Sequence, residues 1–336
     1  MTTPLLDVRG LRTVFRTDHG DFAAVDGVDF SVEAGRTLAI VGESGCGKSV
    51  TSLSIMGLLS SPGRIAGGSI RLEGRELVGL DDQPMRALRG NRMAMIFQEP
   101  MTALNPAYTI GNQLMEPYLH HRGAGAGEAR ARAVDLLEKV GIASAAQRLG
   151  QYPHQLSGGL RQRVMIAMAL MCGPELLIAD EPSTALDVTI QAQILKLMGE
   201  LQRDTGTAII LITHDLGVVA ELADDVAVMY AGRVVERAPV GRLFAEPQHP
   251  YTVGLLGSMP RLEGAARRLA TIEGQVPGSH RRIAGCRFAD RCPFAVEDCR
   301  RRDPALLPVG GGDVGEHHAA CIRAPLDPDR LFGIAA

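Results

Sequence analysis

The chain has 336 residues, of which 46% are apolar and 22% charged, and its formal net charge is −3. That balance excludes a disordered or collagenous chain and fits about two domains of ~150 residues each. A charge so near neutrality supplies no global attraction to nucleic acid.

Up to about residue 98, short β-branched runs alternate with glycine-rich turns. Leu38 to Val41 reads as a short apolar strand, followed by Gly42-Glu43-Ser44-Gly45-Cys46-Gly47-Lys48-Ser49 and a helix-compatible run to Leu59. The octapeptide matches G-x-x-x-x-G-K-[ST]. In that pattern backbone N–H groups wrap phosphates, the lysine reaches the outer oxygens, and the serine hydroxyl ligates magnesium. Lys48 is one of only three lysines among 35 basic residues. The apolar run Met93 to Phe97 then ends at Gln98. From about Asn105 to Met171 the pattern is helical, with Glu128 to Val140 at three- and four-residue apolar spacing and Gly123 to Gly127 as a solvated loop.

Leu156 to Arg163 places a serine and two glycines ahead of a helical run, a second helix end able to receive an anion. Leu176 to Ala179 reads as a buried strand ending in Asp180 and Glu181, where one acid can hold magnesium and the other polarise water. Thr207 to Thr213 is another apolar strand, ending at His214. Fully apolar strands of this kind predict a parallel sheet covered on both faces. The longest apolar runs, such as Val164 to Cys172, fall far short of the ~20 residues of a membrane-crossing helix. The start MTTPLLDVRG shows no export signal, which predicts a cytosolic chain with reduced thiols.

In this order these motifs resemble the nucleotide-binding subunits of ABC transporters over about residues 5 to 240. By that resemblance Gly42 to Ser49 is the Walker A loop, Gln98 the Q-loop and Leu156 to Gln162 the signature. Leu176 to Glu181 is the Walker B segment, Ser183 to Asp187 the D-loop and His214 the switch histidine. Phe15 would stack on adenine, with Phe22 as the competing candidate. The resemblance implies an α/β P-loop NTPase: a RecA-like core with an antiparallel β subdomain and a helical insert. Residues 1–98 and 172–245 would form the core and residues 99–171 the helical subdomain. ATP and Mg2+ are the implied cofactors, with Ser49, Gln98 and Asp180 toward the metal, and Glu181, Gln98 and His214 as catalytic residues. Two such subunits are expected to join head to tail, Ser157, Gly158 and Gly159 contacting the nucleotide held by the partner.

After about Ala245 the sequence becomes rich in proline, arginine and cysteine without a sustained period. Pro247 to Thr252, Gly274, Pro277 and Gly285-Cys286 resemble the carboxyl extension of the oligopeptide/dipeptide/nickel importer subfamily. Residues 246–336 are therefore expected to form a small irregular extension. Cys286, Cys292, Cys299 and Cys321 follow C-x5-C-x6-C-x21-C, which lacks the C-x2-C pair of common zinc modules. Matching cysteines in dipeptide-permease members are associated with a [4Fe-4S] cluster, which the resemblance implies here. Zinc, and unliganded thiols or a disulfide, are the other readings. Arg281, Arg282, Arg287, Arg291 and Arg300 to Arg302 would offset the charge of such a cluster; a solvated basic face or contact with anionic lipid headgroups is the alternative reading. Cys46 and Cys172 read as packing residues.

The resulting expectation is an ATPase driving di- or oligopeptide import from the cytoplasmic face of the membrane. Its partners would be a second, different ATPase subunit, two permease subunits and an extracytoplasmic peptide-binding protein, with no nucleic acid. A nickel or other small-solute importer ATPase, a non-transport ABC ATPase and a redox or iron sensor are the alternatives.

Overall fold

The computed structural model describes residues 3–98, 103–182, 188–259, 272–278, 283–309 and 317–326. Within them, strands β1 (Leu6–Thr17) and β2 (Gly20–Val32) pair antiparallel, and β4 (Gly63–Leu72) and β5 (Arg75–Glu76) extend them in the order β2-β1-β4-β5. A larger sheet runs β11-β12-β10-β9-β3-β8-β7-β6. Its strands are β3 (Thr37–Val41), β6 (Met93–Ile96), β7 (Leu176–Asp180), β8 (Ala208–Ile212), β9 (Asp225–Tyr230), β10 (Arg233–Pro239), β11 (Leu307–Pro308) and β12 (His318–Ala319).

The five strands β6, β7, β8, β3 and β9 are parallel neighbours. Their apolar runs have a simple cause: each face of the sheet is covered. Along β8, Ala208, Ile210 and Ile212 join one core, while Ile209 and Leu211 join another. β7 alternates in the same way, Leu176 and Ile178 against Leu177 and Ala179. Burying each such large side chain contributes roughly 1.5–3 kcal/mol. Leu6, Val8, Leu11 and Phe30 of the antiparallel sheet enter the first core, so both sheets pack on one apolar layer.

Helix α1 (Lys48–Met56) follows β3, and α2 (Asp82–Leu88) precedes β6. α1 ends at Met56, three residues short of the expected helical run, because Gly57 with its left-handed φ of 62° closes the end. The stretch before β7 carries α3 (Ile110–Arg122), α4 (Ala126–Lys139), α5 (Ala145–Arg148) and α6 (Gly158–Leu170). Thr109 caps α3 by accepting from the Asn112 N–H at 3.3 Å. In α4, Ala129, Ala133, Leu136 and Leu137 are buried on one stripe. This helix begins at Ala126, so the glycine loop is shorter than expected: Gly127 lies in its first turn, where exposed backbone N–H groups make glycine tolerable. Helices α7 (Val188–Thr205) and α8 (Leu216–Leu222) flank β8.

The last part of the chain is more regular than its composition suggests. It holds α9 (Val240–Ala245), α10 (Pro250–Gly257) and α11 (Glu297–Arg301), and it adds β12 and β11 to the large sheet. Tyr251 and Phe288 pack with Val41, Val228 and Tyr230 in a third core. Beneath them Glu236, fully buried, accepts from the Gln248 and His249 N–H groups at 2.6 and 2.9 Å, and His317 Nε2 lies 2.8 Å from it. Strands of two residues leave no period to read, which is why the sequence shows none here.

Candidate active site

Strands β3, β6, β7 and β8 all run the same way, so Val41, Ile96, Asp180 and Ile212 end along one edge. In open α/β sheets this carboxyl edge is where ligands bind, at the point where strand order reverses. Here β3 lies between β8 and β9, and the phosphate-loop sequence leaves from its end.

Gly42 adopts φ 150°, and a Cβ there would come within 2.2 Å of the Met229 carbonyl oxygen; Gly47, at φ 105°, would meet the Ala24 carbonyl oxygen at 2.5 Å. Both contacts are below any real Cβ approach, so these two positions require glycine. Gly45 also has positive φ but faces open space. Gly47 starts α1, which points its N-terminus at the loop. Lys48 Nζ donates to the Gly42 and Glu43 carbonyls at 2.7 and 3.0 Å and is only 6% exposed. Cys46 is buried inside the loop, and burial pushes its thiol up, which fits a packing residue. Ser44 sits at the exposed crown of the loop.

Ser49 hydrogen-bonds the Asp180 carboxylate from the first turn of α1. Asp180 is 4% exposed and its Oδ1 has no hydrogen-bond partner. Burial raises its pKa, and the Glu181 charge adds to this against the opposing effects of Ser49 and Lys48. An orphaned buried carboxylate oxygen beside a hydroxyl and next to a phosphate loop suits a hard divalent cation such as Mg2+. Glu181 follows with a left-handed φ of 47°, a conformation costly for a residue with a Cβ. Its carboxylate accepts from Gln98 Nε2 at 2.9 Å and lies 3.5 Å from His214 Nδ1. Three residues distant in sequence thus meet at the ends of β6, β7 and β8.

Ser157 caps α6, its hydroxyl accepting from the Leu160 N–H at 3.4 Å. Ser157 and Gly158 are exposed, and a Cβ on Gly158 would meet nothing within 4 Å. Among the described residues no hydrogen bond joins Ser157, Gly158 or Gly159 to the phosphate loop of the same chain. Gln162, one turn further on and 1% exposed, donates to the Pro182 carbonyl and ties α6 to the exit of β7. Asp187 lies outside the described residues. Phe15 and Phe22 are cross-strand partners, so they share one face of the antiparallel sheet, half-buried.

Sequence reading missed two residues that act on the loop. The Tyr251 hydroxyl accepts from the Glu43 N–H at 2.8 Å, and Arg291 grips the Glu43 carboxylate with two hydrogen bonds of 2.9 and 3.0 Å. Both lie more than 200 positions from Glu43; the sequence marks Tyr251 only as part of Pro247 to Thr252 and Arg291 only as one of a set of arginines, with no sign of a role at the loop. The arginines expected to balance a cluster serve carboxylates instead: Arg287 pairs with Asp26, Arg291 with Glu43, Arg301 with Glu297 and Arg302 with Asp298. Arg281 and Arg282 lie outside the described residues.

Cys286, Cys292, Cys299 and Cys321 line one small apolar cavity with His249, Phe288 and Phe294. Burial pushes the Cys292 thiol up to about 12, with the other three cysteines adding to the shift, and it raises Cys286 and Cys321 likewise. The described residues hold no group of three or more His, Cys, Asp or Glu placed to grip a metal ion. The expectation of a [4Fe-4S] cluster therefore finds a shared cavity but no ligating arrangement. No helix among the described residues is long and apolar enough to cross a membrane.

Residues 25–184 match the family model described as ABC transporter, and residues 235–299 match that of the oligopeptide/dipeptide transporter C-terminal region. The chain is 56% identical to the oligopeptide transport ATP-binding protein AppD of Bacillus subtilis, an alignment covering 90% of this chain and 93% of AppD. It is 50% identical to the dipeptide transport ATP-binding protein DppD of Escherichia coli, covering 94% and 96%. Among solved structures it resembles the ATP-binding cassette MJ0796, a dimer in a post-hydrolysis state bound to ADP and Pi. The TM-score is 0.64 at 26% identity, over 70% of this chain and 98% of that one.

Proposed function

We propose that this chain, which belongs to the ATP-binding subunits of oligopeptide/dipeptide ABC transporters and hydrolyses ATP to power peptide import, works through a site completed by a second cassette. One observation carries the reading: Ser157 and Gly158 at the N-terminus of α6 are exposed and, among the described residues, make no hydrogen bond to their own phosphate loop, although a helix end with free N–H groups is suited to a phosphate.

In this reading Gly42 to Ser49 cradle the triphosphate of ATP through loop N–H groups and Lys48, while Phe15 or Phe22 stacks on adenine. Ser49 and Asp180 would hold Mg2+, with Gln98 at its edge. When bound, the ion would supply neutralisation of the triphosphate charge. Glu181 polarises the attacking water, Gln98 holds its carboxylate, and His214 stands on the far side of it. Ser157, Gly158 and Gly159 of a partner close the pocket and place donors where negative charge develops. Asp187 would line the same interface. Residues 1–98 and 172–245 would form the catalytic core and residues 99–171 the helical subdomain that meets the membrane partners.

The finer assembly is a heterodimer with a related ATPase subunit, two permease subunits and an extracytoplasmic peptide-binding protein, the ATPase being peripheral on the cytoplasmic face. Peptide is the proposed cargo because AppD and DppD are named for oligopeptide and dipeptide transport. Cys286, Cys292, Cys299 and Cys321 are the residues that would hold a [4Fe-4S] cluster. Their thiol donors share one cavity, but among the described residues they are not placed to grip a metal ion, and no step of the hydrolysis runs through a cluster.

The test is the dependence of ATPase rate on assembly. Activity per chain should rise steeply with protein concentration or with added partner subunit, and Ser157→Arg in one subunit should impair the site of the other. Full turnover by a strictly monomeric chain would overturn the composite site.

A further inference from the structure

Glu43 is the second residue of the phosphate loop, and its polar groups are all engaged. Its N–H donates to the Tyr251 hydroxyl at 2.8 Å, and its carbonyl accepts from Lys48 at 3.0 Å and the Cys46 N–H at 3.3 Å. Its carboxylate receives Arg291 Nη1 and Nη2 at 2.9 and 3.0 Å. The Arg291 side chain is 8% exposed, and its guanidinium also donates from Nε to the Glu273 carbonyl at 2.8 Å. It lies 5.7 Å from the centre of the Tyr230 ring and 5.9 Å from that of Phe288, within reach of a cation–π attraction. A guanidinium held on four sides is preorganised for this one carboxylate.

A glutamate in a loop meant for a triphosphate is a chemical oddity, since its charge opposes that of the ligand. We propose that Arg291 is a positioning residue for the phosphate loop: it fixes and neutralises Glu43, so that the C-terminal extension sets the affinity of the nucleotide site. Arg291 acts through Glu43, with Tyr251 holding the backbone of the same residue. The inference rests on Gly42 to Ser49 being the ATP site.

The experiment uses the assembled transporter and measures KM and kcat for ATP together with thermal unfolding. Arg291→Met leaves a bare carboxylate beside the phosphates and should raise KM about tenfold, the scale of one unit charge in a partly solvated site. Its kcat should stay within about twofold of wild type, because the interaction concerns binding of the ground state and transition state alike. Arg291→Lys should recover part of the affinity, keeping charge but losing the two-pronged geometry. Adding Glu43→Gln to Arg291→Met should restore KM, whereas Glu43→Gln alone should lower it below wild type by freeing the Arg291 charge. A merely structural role predicts no rescue in the double variant and a lowered unfolding temperature. Unchanged KM in Arg291→Met, or a double variant as weak as the single, overturns the proposal. Should Arg291→Met fail to assemble, the Glu43→Gln arm decides alone: an unchanged or raised KM refutes the charge argument. Lys48→Ala separates the premise, because normal ATP binding by that variant would refute the phosphate-loop site itself.

Discussion

Replacing Glu181 by glutamine tests the chemistry with the least disturbance of the fold. The amide has the shape of the carboxylate, and its oxygen can still accept from Gln98 Nε2, now 2.9 Å from Glu181. The charge is lost, and with it an oxygen basic enough to draw a proton from water. A positioned general base contributes about 10²- to 10⁴-fold, so kcat should fall by that factor, or about 2.7 to 5.4 kcal/mol at 1.36 kcal/mol per tenfold. Binding of ATP should persist, since Lys48, Ser49 and the loop glycines are untouched. A cassette that binds but cannot cleave should accumulate closed dimers, visible by size-exclusion chromatography with ATP and absent with ADP. Measured turnover within about threefold of wild type would remove Glu181 from the role of base.

Acid should weaken the fold through His249. Burial holds its pKa down to about 3 against an ordinary value of 6.5, and its Nδ1 accepts from the Tyr251 N–H, which only a neutral ring can do. A lowered pKa gives stability that is complete above pH 6.5 and drains away toward pH 3. Between pH 7.5 and 5.5 this group should cost about 1.4 kcal/mol in urea titrations. His249→Asn, which can still cap α10, should flatten that slope, and an equally steep slope in the variant would assign the loss elsewhere. For the cysteines, anaerobically purified protein should be brown with about four irons per chain if the cluster forms, and Cys286→Ser with Cys292→Ser should bleach it. Colourless, iron-free protein would leave the four thiols as packing around an apolar cavity.

Local chemistry was legible in the sequence, and long-range geometry was not. Gly42 to Ser49 are contiguous, and their glycines answer to backbone constraints that any strand-loop-helix imposes. The acids Asp180 and Glu181 and the polar residues Gln98 and His214 each end an apolar run, so their shared edge follows once the strands are taken as parallel. The ladder order that brings them together rests on pairings such as Ile96 with Ala179 and Asp180 with Ile212, which no single run encodes. Phe15 and Phe22 remained equivalent because a hairpin sets them opposite each other. Arg291 was visible only as one arginine in a basic stretch; its partner Glu43 is 248 positions away.

The last strands of the chain also decide what the large sheet offers to its surroundings. Without them β10, seven residues long, would present open N–H and C=O groups along its outer side, a ready template for strands of other molecules. β12 pairs with Glu236 and Arg237, and the Ala320 N–H reaches the Val235 carbonyl at 2.7 Å. Among the described residues the outermost strand is then β11, two residues long and containing Pro308, a poor seed for further pairing. The extension thus acts as a selvedge, finishing the fabric so that it does not fray into fibrils, and a cassette cut off after α9 would lose that protection together with its grip on Glu43.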